Sequence, residues 1–140
     1  MQVLIDTNVI LDVLLNRAYF VQDAVKILRL ACDDLYEYVS ASAITDIYYI
    51  ATKEIKDKAK VRDLLKRLIK VVHVADVSER AIVSALDSNW KDFEDSVQNA
   101  VAEYNAFDAI VTRNPADFKG SVLPVYSPKD FLERIVKEYG

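Results

Sequence analysis

Acidic side chains recur beside apolar segments of this chain rather than in solvated charged blocks. Asp6 follows the apolar segment VLI, and further acids occur within ITDIYYIA, DFEDSVQNAVA and DAIVTRNPADF. Carboxylates that lie within a few ångströms of one another raise each other's pKa, so a fold that gathers them needs protons or cations nearby. All-oxygen ligands are typical of Mg²⁺ or Mn²⁺. The pattern therefore predicts a site for a hard divalent metal ion.

A zinc site has no comparable support, because the chain has one histidine and one cysteine. The apolar sequence around Cys32 predicts a small buried side chain, and His73, between two valines, is expected in a strand or at a sheet edge. A single aspartate at a helix start is most often an N-cap. The set is harder to explain in that way, and its four candidates are Asp6, Asp46, Asp95 and Asp117.

The spacing of apolar residues predicts short strands that alternate with helices. Strands are expected at residues 3–6, 36–41, 71–76, 109–112 and 123–126. Helices are expected from residue 7 or 8, at 21–33, at 42–52, within 53–70, at 78–86, from 92 or 95 to 104, and from 127 onward with Phe131, Leu132, Ile135 and Val136 facing inward. This alternation predicts a three-layer α/β/α sandwich with a mostly parallel sheet of about five strands. Ligands of such folds bind at the carboxyl ends of the strands, where the four acids are expected.

Length and composition favour a single domain over residues 1–140, since 52% of the 140 residues are hydrophobic. No apolar run approaches the roughly 18 residues that a membrane span requires. A strand that begins next to Met1 leaves no room for a signal peptide, and the lone cysteine suits a reducing compartment. We therefore expect a cytoplasmic protein without a membrane anchor.

Residues 53–70 carry eight Lys or Arg and three acids in a chain whose net charge is −4. The favoured interpretation is an ordinary amphipathic helix with a solvated basic side, and the other is a surface for nucleic acid or a partner. The net negative charge argues against broad affinity for nucleic acids. Certain aromatic side chains either stack on bases or pack in the core, namely Tyr48, Tyr49, Trp90 and Tyr104.

Taken in order, the motifs resemble the PIN domain family, in particular the toxin-type ribonucleases of bacterial and archaeal toxin–antitoxin pairs. The matching features are DTN after the first strand, an acid in a helix rich in Tyr and Ile, ED at a helix start, and VTRNPADF near the end. The resemblance runs nearly end to end. It implies that Asp6, Asp46, Asp95 and Asp117 bind metal, with Asn8, Thr112, Arg113 and Asn114 as supporting polar residues.

The activity implied by this resemblance is Mg²⁺- or Mn²⁺-dependent cleavage of single-stranded RNA, leaving 5′-phosphate and 3′-hydroxyl ends. Asp6 and Asp95 would be the central ligands, and Asp117 would hold a second ion. Asp46 would complete the first site or orient the attacking water. The resemblance also implies a small antitoxin as partner and a homodimer.

Other interpretations stay open. The family usually has Glu where this chain has Asp46, and often Asp where it has Asn114, so a catalytically silent PIN-like RNA- or protein-binding module is the main alternative. A phosphoacceptor receiver domain is disfavoured, because it needs paired acids after the first strand and a late lysine. Nearby residues have expected minor roles. Asp92 would cap a helix, Glu94 would face solvent or a basic partner, Asp108 would brace the site loop, and Arg17 and Arg113 would contact phosphate or neutralise the acids.

Overall fold

Five parallel strands form one sheet at the centre of the fold. The structure is a computed structural model that describes residues 1–30 and 34–139, so Cys32 and the expected end of the second helix lie outside the described residues. In spatial order the strands are β3-β2-β1-β4-β5. They are β1 (Gln2–Ile5), β2 (Tyr36–Ser40), β3 (His73–Ala75), β4 (Ala109–Val111) and β5 (Val125–Tyr126).

The helices connect the strands and begin at polar caps that the sequence supplies. Side-chain oxygens of Ser40, Asp57, Ser78 and Asp92 each accept the N–H three residues ahead, which satisfies a donor of the first helical turn. No helix within the described residues is both long and apolar enough to cross a membrane. The helices are α1 (Thr7–Leu14), α2 (Val21–Arg29), α3 (Ala41–Ile55), α4 (Lys58–Leu68), α5 (Glu79–Asp87), α6 (Phe93–Tyr104) and α7 (Pro128–Tyr139), and a 3₁₀ turn lies at Pro115–Phe118.

Both faces of the sheet are covered, so the predicted three-layer α/β/α architecture is confirmed. Alternate residues of β1 point to opposite sides: Val3 and Ile5 pack on one face, and Leu4 packs on the other. The first core receives buried side chains from α1, α2, α3, α4 and α7, and the second from α5 and α6. His73 begins the edge strand β3 and is exposed, as expected.

Several element boundaries differ from the prediction. The first helix is capped by Asp6 itself rather than by Thr7 or Asn8. The basic segment 53–70 is not one helix, because α3 runs to Ile55 and Lys56 turns the chain at a φ of 59° before α4 begins. Within α4 the apolar side packs inward and the lysines face solvent, which is the ordinary amphipathic arrangement. In α7, Val136 is exposed and does not face the core.

Strand order fixes where a ligand site can form. From β1 the chain crosses to β2 and β3 on one side, while β4 and β5 lie on the other, so the order reverses between β1 and β4. In parallel α/β sheets the carboxyl ends of the strands at such a reversal leave an open crevice. Asp6 follows β1 and Thr112 follows β4 at this crevice. Asp108 precedes β4 and accepts the Gln2 N–H at 2.8 Å, so it braces the opposite end of the sheet and not the site loop.

One acid lies inside the first core. Glu37, in β2, is 1% exposed, and neither of its carboxylate oxygens has a hydrogen-bond partner among the described residues. Burial raises the pKa of this carboxyl from 4.5 to about 8. The folded protein therefore keeps Glu37 protonated at pH values where the unfolded chain has already lost that proton.

The first prediction concerns this pH dependence. Between about pH 5 and pH 8, unfolding releases the Glu37 proton, so its contribution to the free energy of unfolding falls by up to ~1.4 kcal/mol per pH unit. Glu37→Gln removes this component. Urea unfolding of both proteins across this range should show the variant gaining stability relative to the wild type as pH rises. A difference between the two that does not change with pH would contradict the assignment.

Candidate functional site

Asp6 is the most constrained acid of the site. Its side chain is 6% exposed, and both carboxylate oxygens accept hydrogen bonds. Oδ1 accepts the Thr7 N–H at 2.8 Å and the Gln98 side-chain amide at 3.1 Å, and Oδ2 accepts the Thr112 hydroxyl at 2.8 Å. Burial raises the pKa of Asp6, while these three donors act in the other direction. Three elements therefore hold one carboxylate in place: the start of α1, the middle of α6 and the end of β4.

The predicted supporting residues form a short polar chain beside Asp6. The Asn8 amide donates to the Thr112 hydroxyl oxygen at 3.4 Å, and the Asn8 carbonyl oxygen accepts the Arg113 backbone N–H at 3.2 Å. The Asn114 backbone N–H also donates to Thr112 Oγ1, at 3.2 Å. The sequence-predicted set Asn8, Thr112, Arg113 and Asn114 thus lies together at the carboxyl ends of β1 and β4.

The four candidate acids line two clefts that share one residue. The first cleft, of about 420 Å³, is lined by Asp6, Asp46 and Asp95 together with Glu94. The second, of about 800 Å³, is lined by Asp95 and Asp117. Asp95 lies in the first turn of α6 and so faces both clefts. The structure therefore brings three of the predicted acids together in one cleft and connects the fourth to them through Asp95.

Mutual repulsion is visible in the pKa values. Burial and the negative charges of Asp92, Asp6, Asp117 and Glu94 raise the pKa of Asp95 to about 7. The nearby charge of Asp46 is the largest cause of the raised pKa of Glu94. Among the described residues, no Lys or Arg side chain forms an ion pair with any of the candidate acids. Within the described residues the four acids are therefore not neutralised by direct ion pairs.

The donor set fits a hard divalent cation by its chemistry. It consists of carboxylate oxygens, with neither imidazole nor thiolate near them in the described part of the chain. In the side-chain conformations seen for residues 1–30 and 34–139, no group of three or more His, Cys, Asp or Glu is arranged to hold an ion. The fit therefore rests on oxygen donors and unbalanced charge, and binding would draw these carboxylates together.

The two arginines neutralise a different acid. Asp12, in α1, is 1% exposed and accepts Arg113 Nε at 2.8 Å and Arg17 Nη1 at 3.4 Å. The Arg113 guanidinium also lies 4.1 Å from the centre of the Phe20 ring. Arg113 is thereby held between α1 and the loop that follows β4. Its partner is Asp12, not one of the four candidate acids.

Sequence reasoning missed two residues of this region, Gln98 and Asp12. Gln98 lies one helical turn after Asp95 and is buried, and a polar residue inside the apolar helix SVQNAVA was the available signal. Glu94 was expected to face solvent or a basic partner, and it is exposed, at a position where it also lines the first cleft with Asp46. For Asp12 the available signal was its position as the single acid within the apolar segment VILDVL. A charge buried by such a segment requires a partner.

Fold and site together define a small parallel α/β domain with an acidic centre at the carboxyl edge of its sheet. The sequence model of one family, described as the PIN domain, matches residues 2–116. The chain therefore belongs to the PIN domain family.

Individual relatives extend the comparison. The chain is 29% identical over 142 residues to "Ribonuclease VapC1" of Aquifex aeolicus, covering 95% of this chain and 94% of that protein. Its fold is similar to VapBC-1 of nontypeable Haemophilus influenzae, with a TM-score of 0.70, 13% identity, and coverage of 92% and 99%. It is also similar to Mycobacterium tuberculosis VapC20, described as a sarcin–ricin loop cleaving toxin, with a TM-score of 0.63, 16% identity, and coverage of 77% and 86%. At these identities the two solved structures support the fold alone.

The second prediction concerns the ion pairs that Asp12 forms with Arg17 and Arg113. Asp12→Asn leaves Arg17 and Arg113 without their buried counter-ion. Because the arginine side chains are 31% and 24% exposed, we expect a loss of roughly 1 to 3 kcal/mol in the free energy of unfolding. Asp63→Asn is the matched control, since it removes an exposed pair with Arg67 and should cost less than about 0.5 kcal/mol. Equal losses in the two variants, measured by urea unfolding, would contradict the role of Asp12.

Proposed function

We propose that this protein is a Mg²⁺- or Mn²⁺-dependent endoribonuclease that hydrolyses single-stranded RNA, and that it is the toxin of a type II toxin–antitoxin system. The observation that carries the proposal is the group of acids at the carboxyl edge of the sheet, none of which forms an ion pair with a described side chain. Membership of the PIN domain family and the ribonuclease name of the Aquifex relative support it.

In this proposal each acid has a ligand role that depends on its place in the fold. Asp6 is the fixed ligand, because its hydrogen bonds to Thr7, Gln98 and Thr112 leave it little freedom. Asp95 is the shared ligand, since it faces both clefts. Asp46 serves the first cleft, and Asp117 serves the second.

A bound divalent ion lowers the pKa of a coordinated water and stabilises charge on phosphate oxygens. The other tasks belong to the chain. Thr112 and Asn8 keep the Asp6 carboxylate aimed at the crevice. Glu94, beside Asp46, has a raised pKa and lies where a proton acceptor or a water-orienting group is useful. None of these roles requires a side-chain nucleophile.

The proposed protein partner is a small antitoxin. The solved structures that the fold resembles include "Toxin-antitoxin complex from Klebsiella pneumoniae" and a VapBC2 complex of Rickettsia felis. In our proposal a segment of the antitoxin enters the acidic cleft and blocks RNA. Co-expression with its cognate antitoxin should yield a complex that does not cleave RNA, and a fully active complex would contradict this part.

We also propose a homodimer. Three large apolar side chains of α3 and α5 are at least half exposed: Tyr49, Val83 and Leu86. Burying such surface is the usual driving force for self-association. Light scattering should give about twice the mass of one chain, and the Leu86→Glu variant should be smaller. A monomeric wild type at high concentration would contradict the dimer.

The third prediction is the loss of cleavage on removal of one acid. Asp95→Asn keeps the size of the side chain and removes a ligand, so we expect cleavage of labelled single-stranded RNA to fall at least ~100-fold. EDTA should have the same effect on the wild type, and Mg²⁺ or Mn²⁺ should restore activity. Asp63→Asn, which alters an exposed acid of α4, is the control and should cleave normally.

The outcome also separates the proposal from its main alternative. RNA that binds to the folded wild type but stays intact with either metal would favour a catalytically silent PIN-like binding module, in which Asp46 and Asn114 have replaced the family's usual residues. Cleavage that persists in EDTA and in Asp95→Asn would contradict metal-dependent hydrolysis at this site.

The fourth prediction tests metal binding through its effect on Tm, so that no assay of RNA cleavage is needed. At pH 8 and without metal, repulsion among the acids destabilises the wild type, so Asp95→Asn should have a higher Tm than the wild type in EDTA. Adding Mn²⁺ should raise the Tm of the wild type by mass action and leave that of the variant nearly unchanged. Differential scanning calorimetry tests both. Equal Mn²⁺ shifts in the two proteins would place the ion elsewhere.

A further inference from the structure

The second cleft contains more than its three acids, which are Asp92, Asp95 and Asp117. Its wall is formed by the loop before α6, which carries Trp90 and Lys91, and by the segment after the 3₁₀ turn, which carries Lys119 and Gly120. At about 800 Å³ it has room for a nucleotide. An aromatic ring and two cations therefore stand beside Asp95 and Asp117.

Trp90 is held in place by its neighbours. Its ring meets Phe118 edge-on, with 5.6 Å between ring centres and an angle of 77°. Gly120 approaches it so closely that an added Cβ would lie 3.3 Å from the indole nitrogen, so this position favours a residue without a side chain. No hydrogen bond joins the indole N–H to another of the described residues. Trp90 is half-buried and lines the cleft, so its ring is held in place while the part that faces the cleft stays accessible to a base.

The two lysines carry charge that is not used within the fold. Lys91 and Lys119 are exposed, and neither forms an ion pair with a described residue. They come from different segments of the chain and line the same cleft. Three acids line the same cleft, so the two lysines offer separate contacts for phosphate oxygens rather than a net positive surface.

We propose that this cleft binds the nucleotide next to the scissile phosphate, with its base against Trp90 and its flanking phosphates at Lys91 and Lys119. The inference rests on the proposed function, because Asp95 lines both this cleft and the first cleft, where the metal is proposed to bind. It assigns to three residues a role in substrate affinity. It also predicts the path of the bound RNA strand, which would run from the first cleft across the start of α6 to the 3₁₀ turn.

The basic helix α4 is the rival surface for RNA. Its apolar residues Val61 and Leu68 pack in the first core, whereas Trp90 packs against the second core on the other face of the sheet. The two surfaces can therefore be told apart by mutation. Lys66, exposed on α4, is the matched control for Lys91 and Lys119.

The test uses the full chain with Asp95→Asn in every protein, so that RNA stays intact in Mg²⁺. Trp90 is the only tryptophan of the chain, so its fluorescence reports this cleft alone. A short single-stranded RNA should quench it with the same midpoint that anisotropy of labelled RNA gives. Trp90→Leu should weaken binding roughly tenfold, and Trp90→Phe should keep most of the affinity.

The lysines are tested by salt dependence, which a purely structural role would not change. Lys91→Gln and Lys119→Gln should each reduce the slope of log affinity against log salt by about 0.7, and Lys66→Gln should leave it unchanged. RNA that binds without quenching Trp90, or a slope that responds to Lys66 alone, would overturn the inference and leave the cleft to a protein partner. In a parallel assay, wild-type protein that neither binds nor cleaves RNA would overturn the proposed function and this inference with it.

Discussion

The arrangement of the site depends on one carboxylate. Asp6 ends β1, caps α1, and accepts hydrogen bonds from Gln98 of α6 and Thr112 after β4. These contacts cross the point at which the strand order reverses, so the same side chain closes the sheet edge and sets the position of the acidic centre. An Asn at this position would turn an amide toward groups that donate hydrogen bonds, and the cost would be structural as well as chemical. Fold and site therefore share one constraint.

Around this fixed acid the chain concentrates negative charge, while its two buried-site arginines serve another acid. Arg17 and Arg113 neutralise Asp12 in α1, and the lysines of α4 face solvent. Burial and the neighbouring acids raise the pKa of Asp95, the charge of Asp46 raises that of Glu94, and neither has an ion-pair partner among the described residues. Such an arrangement costs stability, and a bound cation that relieves the repulsion restores that stability. This link between stability and occupancy is the physical basis of the proposed function.

Most of the fold and part of the candidate site could be predicted from the sequence. The features that could not be predicted depend on contacts between distant segments or on exact helix boundaries. The parallel sheet followed from alternating apolar segments, and the placement of the acids at one edge followed from the rule that ligands bind where parallel strands end. The place of Thr112 beside Asp6 was implied by the family resemblance. The division of the acids between two clefts depends on the exact first turn of α6, which Asp92 rather than Asp95 caps. Whether Arg113 faces phosphate or an acid depended on Asp12, which lies far from it along the chain. The expected exposure of Glu94 is confirmed, but its place beside Asp46 depends on how α3 and α6 pack, which the sequence pattern does not reveal.

The proposed function requires Asp6, Asp46 and Asp95 to hold a divalent ion together. Crystals grown with Mn²⁺ and measured near the manganese absorption edge locate that ion. We expect an anomalous peak in the first cleft, within bonding distance of the Asp6 and Asp95 carboxylates, that disappears in Asp95→Asn. A peak at another site, or a cleft without one at saturating Mn²⁺, would show that these acids do not form the metal site.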